Sequence, residues 1–208
     1  MNKHYAGLVM IVAGILAVAS GLGLGAYNLW DDHRAGVQAA ALMEDIVQYQ
    51  VGAIVIPNEA LKAPSDPLTG SPGEMSVLEI DGKRYIGTVS IPVLDIELPV
   101  QKSWSLSLLR SAPCRYKGSV YQGDLIICAH NYATHFGRLK NILPGDEVIF
   151  TDIEGDVFHY TVTAVETLAG TATEEMERGE WDLTLFTCTL GGQNRVTVRC
   201  DLLESDEV

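Results

Sequence analysis

Three residues whose types suit acyl transfer stand at matching places in the chain. Cys188 ends the apolar run Leu183-Thr184-Leu185-Phe186-Thr187 and is followed by Thr189-Leu190-Gly191-Gly192. His130 ends the run Leu125-Ile126-Ile127-Cys128-Ala129 and is followed by polar Asn131, while Arg195 opens the next apolar run after the glycine loop. A cysteine at the mouth of a strand, ahead of a glycine loop, lies at the end of a sheet and not in its middle. Thiolate is the attacking form of cysteine, and nearby positive charge favours it. Histidine can hand a proton to a departing amine near neutral pH. Arginine keeps its charge and presents a fixed fork of donors, suited to an oxyanion or a substrate carbonyl. Taken singly, each has an ordinary reading as a packed cysteine, a surface histidine or a surface arginine. Their shared position at strand ends is what brings a thiol, an imidazole and a guanidinium to one rim.

The elements that must position them are set by length and patterning. The chain has 208 residues, 47% hydrophobic and 20% charged, enough for one domain with a core plus extra segments. A net charge of −13 argues against binding a nucleic-acid backbone. The four cysteines, 114, 128, 188 and 200, form no Cys-x-x-Cys pair and no zinc-ribbon spacing, so no metal is expected. Cys128 and Cys200 lie in the apolar runs LIICAH and VTVRC, where a free cysteine packs as a small hydrophobe. A Cys128–Cys200 bridge is the alternative.

From Ala6 to Tyr27 the chain is uncharged and apolar, close to the roughly 20 residues that cross a bilayer core as a helix. Ala17-Val18-Ala19 resembles a signal-peptide cleavage site, but the run continues well beyond it, which favours an uncleaved anchor. Lys3 precedes the span and Asp31 and Asp32 follow it, so the N-terminus is expected in the cytoplasm and the remainder outside. After the span, Leu42, Ile46 and Tyr49 mark one stripe of a helix that packs on the domain or the membrane surface. Residues 56–75 hold four prolines and read as a linker or covering loop. The expected division is a membrane anchor over 1–28, a juxtamembrane helix and linker or lid over 29–75, and a catalytic domain over 76–208.

The remainder is β-dominated. Strands are expected at 77–80 and 83–91 around the Asp81-Gly82 turn, and at 96–100, 125–129, 147–151, 157–166, 183–187 and 196–202. Short helices fit near 106–111, 136–142 and 174–178, the last with Thr171 and Glu174 spaced as a capping box. Short, closely spaced strands with turn signals predict a mainly β fold, a closed or nearly closed barrel.

The segment TLFTCTLGGQNRVTVRC resembles the Thr-Leu-x-Thr-Cys…Arg signature of sortases. GDLIICAHNYATHFGRLKNILPGDEVIF is similar to that family's histidine region. YIGTVSIPVLDIELPV and SLLRSAPCRYKGS resemble its opening strands and the short helix between them. The resemblance covers nearly all of residues 80–202 in order. It implies an eight-stranded β-barrel transpeptidase that needs no cofactor. Such enzymes cut a surface protein's Leu-Pro-x-Thr-Gly-like sorting signal after the threonine, hold the acyl chain as a thioester, and pass it to an amine. The amine belongs to a peptidoglycan precursor or to a pilin lysine. By the same resemblance Cys188 is the nucleophile, His130 the acid/base, Arg195 the oxyanion or substrate-binding residue, and Thr187 helps shape the acyl pocket.

Nearby residues have quieter readings. His135 belongs to the polar loop after His130, and Arg199 lies on the Arg195 side of its strand but deeper, as a structural residue. Glu174, Glu175 and Glu177 form a solvated acidic face, at a place where some sortases bind calcium. Asp66-Pro67-Leu68 resembles the Asp-Pro-aromatic lid of pilus-assembling sortases, with leucine in place of the aromatic residue. The Thr-Cys-Thr start and short Cys-to-Arg spacing lean toward that class, while the closing LLESDEV carries no second apolar segment, so the subclass stays open. Two rivals remain: a thiol hydrolase without transfer, and an inactive anchored binding module. A papain-like arrangement wants its cysteine at a helix N-terminus, which this sequence does not offer.

Overall fold

The computed structural model describes residues 3–55 and 73–203. Two compact units divide the chain between Arg34 and Ala35. Helix α1, Lys3–Val55, begins in the first and ends in the second. In the first unit the helix is apolar on every side. Leu8, Met10, Ile11, Leu16, Val18 and Leu22 are all exposed. A helix hydrophobic all round needs an apolar surrounding, and this one is long and apolar enough to cross a membrane. Where the apolar run ends, Tyr27 and Trp30 pack at 6.0 Å and the Arg34 guanidinium lies 5.6 Å over the Trp30 ring. Arg34 also pairs with Asp31 at 2.7 Å. Aromatic and charged residues of this kind suit the level of lipid headgroups.

The second unit is a β-barrel. Its strands are β1 (Leu78–Ile80), β2 (Lys83–Ile91), β3 (Ile96–Gln101), β4 (Cys114–Lys117), β5 (Leu125–Ala129), β6 (Glu147–Asp152), β7 (Val157–Ala169), β8 (Leu183–Cys188) and β9 (Asn194–Leu202). The order β2-β3-β4-β5-β8-β9-β7-β6 closes on itself through β2–β6, which makes the eight-stranded barrel. β1 is an extra strand joined to β2 by the Asp81-Gly82 turn. Both turn residues have positive φ, 51° and 72°, as a two-residue hairpin requires. One short helix, α2 (Thr173–Met176), sits between β7 and β8.

Period-two alternation sends Ile127, Ala129, Leu183, Leu185, Val198 and Cys200 into the barrel core. Outside the barrel, the stripe of α1 lands on a second cluster. Leu42, Ile46 and Tyr49 pack with Leu78, Tyr85 and Ile153, and Gln50 Nε2 donates to the Asp152 carbonyl at 2.7 Å.

Two details differ from the sequence reading. β4 was not expected, because CRYK is short, lacks alternation and carries an irregularity between Arg115 and Lys117. α2 starts at Thr173 with Ala172 as N-cap and no side-chain cap, so the Thr171 capping box is not made. Cys128 and Cys200 are packed as free thiols, as the runs around them suggested, and the alternative bridge is not formed, since β8 lies between their strands. The residue facing Cys128 is Cys114, its antiparallel register partner.

Candidate active site

β5 and β8 run parallel, with Leu125 beside Leu183 and Ala129 beside Thr187. One residue further along, His130 leaves β5 where Cys188 ends β8. β8 and β9 are antiparallel, and Cys188 is the register partner of Arg195. Alternation turns Thr184, Phe186 and Cys188 outward, together with Cys128 on β5 and Arg195, Thr197 and Arg199 on β9. The three sequence-identified residues therefore share one end of three neighbouring strands, and Cys188 and Arg195 share a face there.

That face carries a groove of about 240 Å³. Cys128, Ala129, Phe186 and Cys188 form its floor, with Arg195 at one end. One wall is the β3–β4 connection, with Trp104, Leu106 and Leu109; the other is the β7–β8 connection, with Ala169, Gly170, Ala172, Thr173 and Met176. Aromatic rings continue from wall to floor: Trp104 meets Tyr116 at 5.7 Å, and Tyr116 meets Phe186 edge-on at 5.4 Å. This apolar lining escaped the sequence reading. Phe186 was findable, because it lies two residues before Cys188 and so on the same face. Trp104 and Tyr116 reach the groove through a loop and an irregular strand, which periodicity does not reveal.

His130 is half-buried. Its ring stacks on Tyr132 at 4.2 Å with a 6° angle between planes, and its Nδ1 lies 3.0 Å from both the backbone nitrogen and the side-chain oxygen of Asn131. Those contacts fix the ring's orientation. The Arg195 Nη1 donates to the carbonyls of Gly192 at 2.9 Å and Asn194 at 3.1 Å. Gly170 borders it closely, for a Cβ there would stand 2.8 Å from the Gln193 carbonyl and 3.3 Å from Arg195 Nη1. Thr187 faces inward and is buried. Its hydroxyl donates to the Ala129 carbonyl at 2.9 Å, tying together the strand ends that carry His130 and Cys188.

Other residues weighed in the sequence have definite places. His135 is fully buried, not in a solvated loop, and its ring meets Tyr132 edge-on at 5.4 Å. Arg199 is buried as well, bonded to Glu166 at 2.8 Å. Glu177 pairs with Lys117 at 2.7 Å and accepts from the Tyr116 hydroxyl at 3.1 Å. Asp66, Pro67 and Leu68, the possible lid, fall outside the described residues. Cys188 is half-exposed, whereas the other thiols are buried. Burial pushes the Cys114 thiol up to about 12, and pushes those of Cys128 and Cys200 up further.

A carboxylate cluster, Asp152, Glu154 and Asp156, brings its oxygens within 4.8 Å of one another on the β6–β7 turn. Asp152 Oδ1 accepts the backbone N–H groups of Glu154 and Asp156, each at 2.9 Å, and its Oδ2 accepts the Tyr121 hydroxyl. Turn formation accounts for this arrangement.

Comparison with known proteins points the same way as the geometry. Sortase A of Bacillus anthracis is 30% identical over 138 residues, 62% of this chain and 65% of that relative's length. Sortase A of Corynebacterium diphtheriae superposes with a TM-score of 0.55 at 19% identity, over 86% of this chain and 94% of that one. Sortase C1 of Streptococcus suis does so with a TM-score of 0.52 at 25% identity, over 60% and 76%. The family model of the sortase domain matches residues 89–203, more than half of the chain and the whole stretch that carries the groove, His130, Cys188 and Arg195. The chain belongs to the sortase family.

Proposed function

We propose that this protein is a membrane-anchored cysteine transpeptidase. It cleaves a Leu-Pro-x-Thr-Gly-like sorting signal after the threonine and joins the acyl part to an amine of the cell envelope. The observation that carries the reading is the register of β5, β8 and β9, which sets His130, Cys188 and Arg195 at adjoining strand ends. Family membership supports the reaction class. The apolar groove beside Cys188 suits the leucine and proline of such a signal.

In this reading the Cys188 thiolate attacks the threonine carbonyl carbon. Arg195 donates to the oxygen as it gains charge. The carbon–nitrogen bond then breaks, and His130 gives its proton to the departing glycine amine through Nε2, its Nδ1 being held by Asn131. The acyl group rests on Cys188 as a thioester. The acceptor amine attacks that thioester, His130 takes up the proton released, and the carbon–sulfur bond breaks to restore the thiolate. The acceptor is a lysine of a pilin or an amine of a peptidoglycan precursor. The apolar part of α1 anchors the chain in the membrane, N-terminus inside, with the barrel outside.

The test uses the detergent-solubilised full chain, a library of quenched sorting peptides, and diglycine or hydroxylamine as acceptor. Cleavage with formation of the amine adduct, lost in Cys188→Ala, is expected. Cleavage that survives Cys188→Ala would sink the mechanism, and hydrolysis without adduct would favour a thiol hydrolase. No cleavage at all would favour an inactive binding module.

A further inference from the structure

Arg199 is 1% exposed, one of the largest fully buried side chains among the described residues. A guanidinium taken out of water demands satisfaction of its donors. Its Nε donates to Glu166 Oε1 at 2.8 Å, and its Nη1 to the Met176 carbonyl at 3.0 Å and Thr184 Oγ1 at 3.1 Å. Its Nη2 donates to the Glu175 carbonyl at 2.6 Å, and its Cζ lies 4.4 Å over the centroid of the Trp181 ring. Two of the four hydrogen bonds thus end on consecutive carbonyls of α2.

Those carbonyls belong to a single helical turn. One turn does not persist by itself, because nucleation fixes several dihedrals for one hydrogen bond. The last carbonyls of any helix also lack partners within the helix. Arg199 supplies both partners at once, and a cation at a helix C-terminus is favoured by the dipole as well. The same turn forms one wall of the groove through Ala172, Thr173 and Met176. Met176 joins the two roles: its carbonyl accepts from Arg199, and the residue lines the groove. Glu166 explains less of this arrangement, since its side chain is 39% exposed and water competes for it.

We propose that Arg199 is a positioning residue of the substrate groove, which holds the carbonyl end of α2 and thereby sets the affinity for the sorting peptide and not the bond-breaking step. The inference rests on the reading of the groove as the peptide site. Lysine cannot stand in for it, because an ammonium lacks both the fork and the plane that faces Trp181.

Amide hydrogen exchange on the full chain in detergent tests the clamp without substrate. The Met176 and Glu177 amides, which donate to the Ala172 and Thr173 carbonyls, should be protected in the wild type. In Arg199→Lys they should exchange at least about tenfold faster, while the Ile127 and Leu185 amides stay unchanged. The KM for a sorting peptide should rise about five- to tenfold, with kcat within about twofold. Unchanged α2 protection, protection lost throughout the barrel, or a fall in kcat with unchanged KM would each overturn the proposal.

Glu166→Gln keeps both carbonyl bonds, so α2 should remain protected; release equal to that of Arg199→Lys would make the ion pair the true tie. If Arg199→Lys does not fold, the double variant Glu166→Ala, Thr184→Val removes the other two acceptors, and loss of α2 protection there also overturns the proposal. A wild-type protein that cleaves no sorting peptide defeats the proposed function and the affinity statement with it. Unchanged α2 exchange in an active enzyme defeats this inference alone.

Discussion

Thr187 and Ala129 face each other across the parallel β5–β8 ladder, and the Thr187 hydroxyl donates to the Ala129 carbonyl at 2.9 Å. Each precedes a proposed catalytic residue. Thr187→Val keeps the volume but removes the hydroxyl from a buried site, leaving the Ala129 carbonyl short of a partner. Stability should fall by about 1–2 kcal/mol, read by chemical denaturation. Peptide cleavage should fall about tenfold in kcat/KM as His130 and Cys188 lose their fixed offset.

The four cysteines should separate cleanly by reactivity. Cys114, Cys128 and Cys200 are buried, with thiols held above their ordinary range by desolvation, whereas Cys188 is half-exposed in the groove. Iodoacetamide at neutral pH should label Cys188 alone in the folded protein and all four cysteines in denaturant, as seen by peptide mass mapping. Labelling should disappear in folded Cys188→Ala.

The second half of α1 belongs to the barrel's packing, since Ala35, Ala39 and Ile46 are all buried. Ile46→Ala should cost about 2–4 kcal/mol through the cavity it leaves against Tyr85 and Ile153. A chain beginning at residue 35 should therefore melt higher than one beginning at residue 51, which uncovers that cluster. Equal melting temperatures would show that the helix adds nothing to the barrel.

Glu177 gives a pH signature. Its carboxyl is held below the ordinary value of 4.5, first by the hydrogen bond from Lys117 and then by that from Tyr116. A depressed carboxyl stabilises the fold above its unfolded value, and that contribution is lost as pH falls through the folded one. Lys117 is shifted up by the same pair, so its share is present below 10.5 and lost only as pH rises through the raised value. The melting-temperature difference between wild type and Glu177→Gln should hold steady across about pH 6–9 and close as pH falls below about 4. Added salt should shrink it, because the pair is largely exposed.

Asp152 is 1% exposed and serves three donors on the β6–β7 turn. Asp152→Ala strands two backbone N–H groups and the Tyr121 hydroxyl, and should cost about 2–4 kcal/mol. Tyr121→Phe removes one donor and should cost less, with peptide cleavage unchanged in both variants at temperatures where they remain folded.

The β-barrel and the rim of the site were legible because both rest on period-two alternation. LIICAH and LTLFTC announce strands, and two-residue counting puts Phe186 with Cys188 on a common face. The same counting placed Arg199 on the Arg195 side and deeper. What it lacked was a reason for an arginine to be buried, since that depends on the carbonyls of a helix two dozen residues away in sequence. Cys114 opposite Cys128 was hidden for a similar reason: β4 is short and irregular, and its register is fixed by its neighbours. Thr187 stands inward, where alternation from Cys188 would already have put it; the acyl-pocket role came from resemblance and not from the strand's own geometry. Solvation misled for His135, which the sequence reading put in a polar loop after His130 but which the fold buries completely.

The parallel pairing of β5 with β8 also carries a schedule. A parallel neighbour needs a long crossover, and here β6, β7 and α2 lie inside it. Pairing of the His130 and Cys188 strands therefore closes a long loop, and the seam is complete only when β9, with Arg195, lies between β8 and β7. Until then the thiol lacks its guanidinium. The site as proposed is thus complete only with closure of the last seam, once β9 is in place.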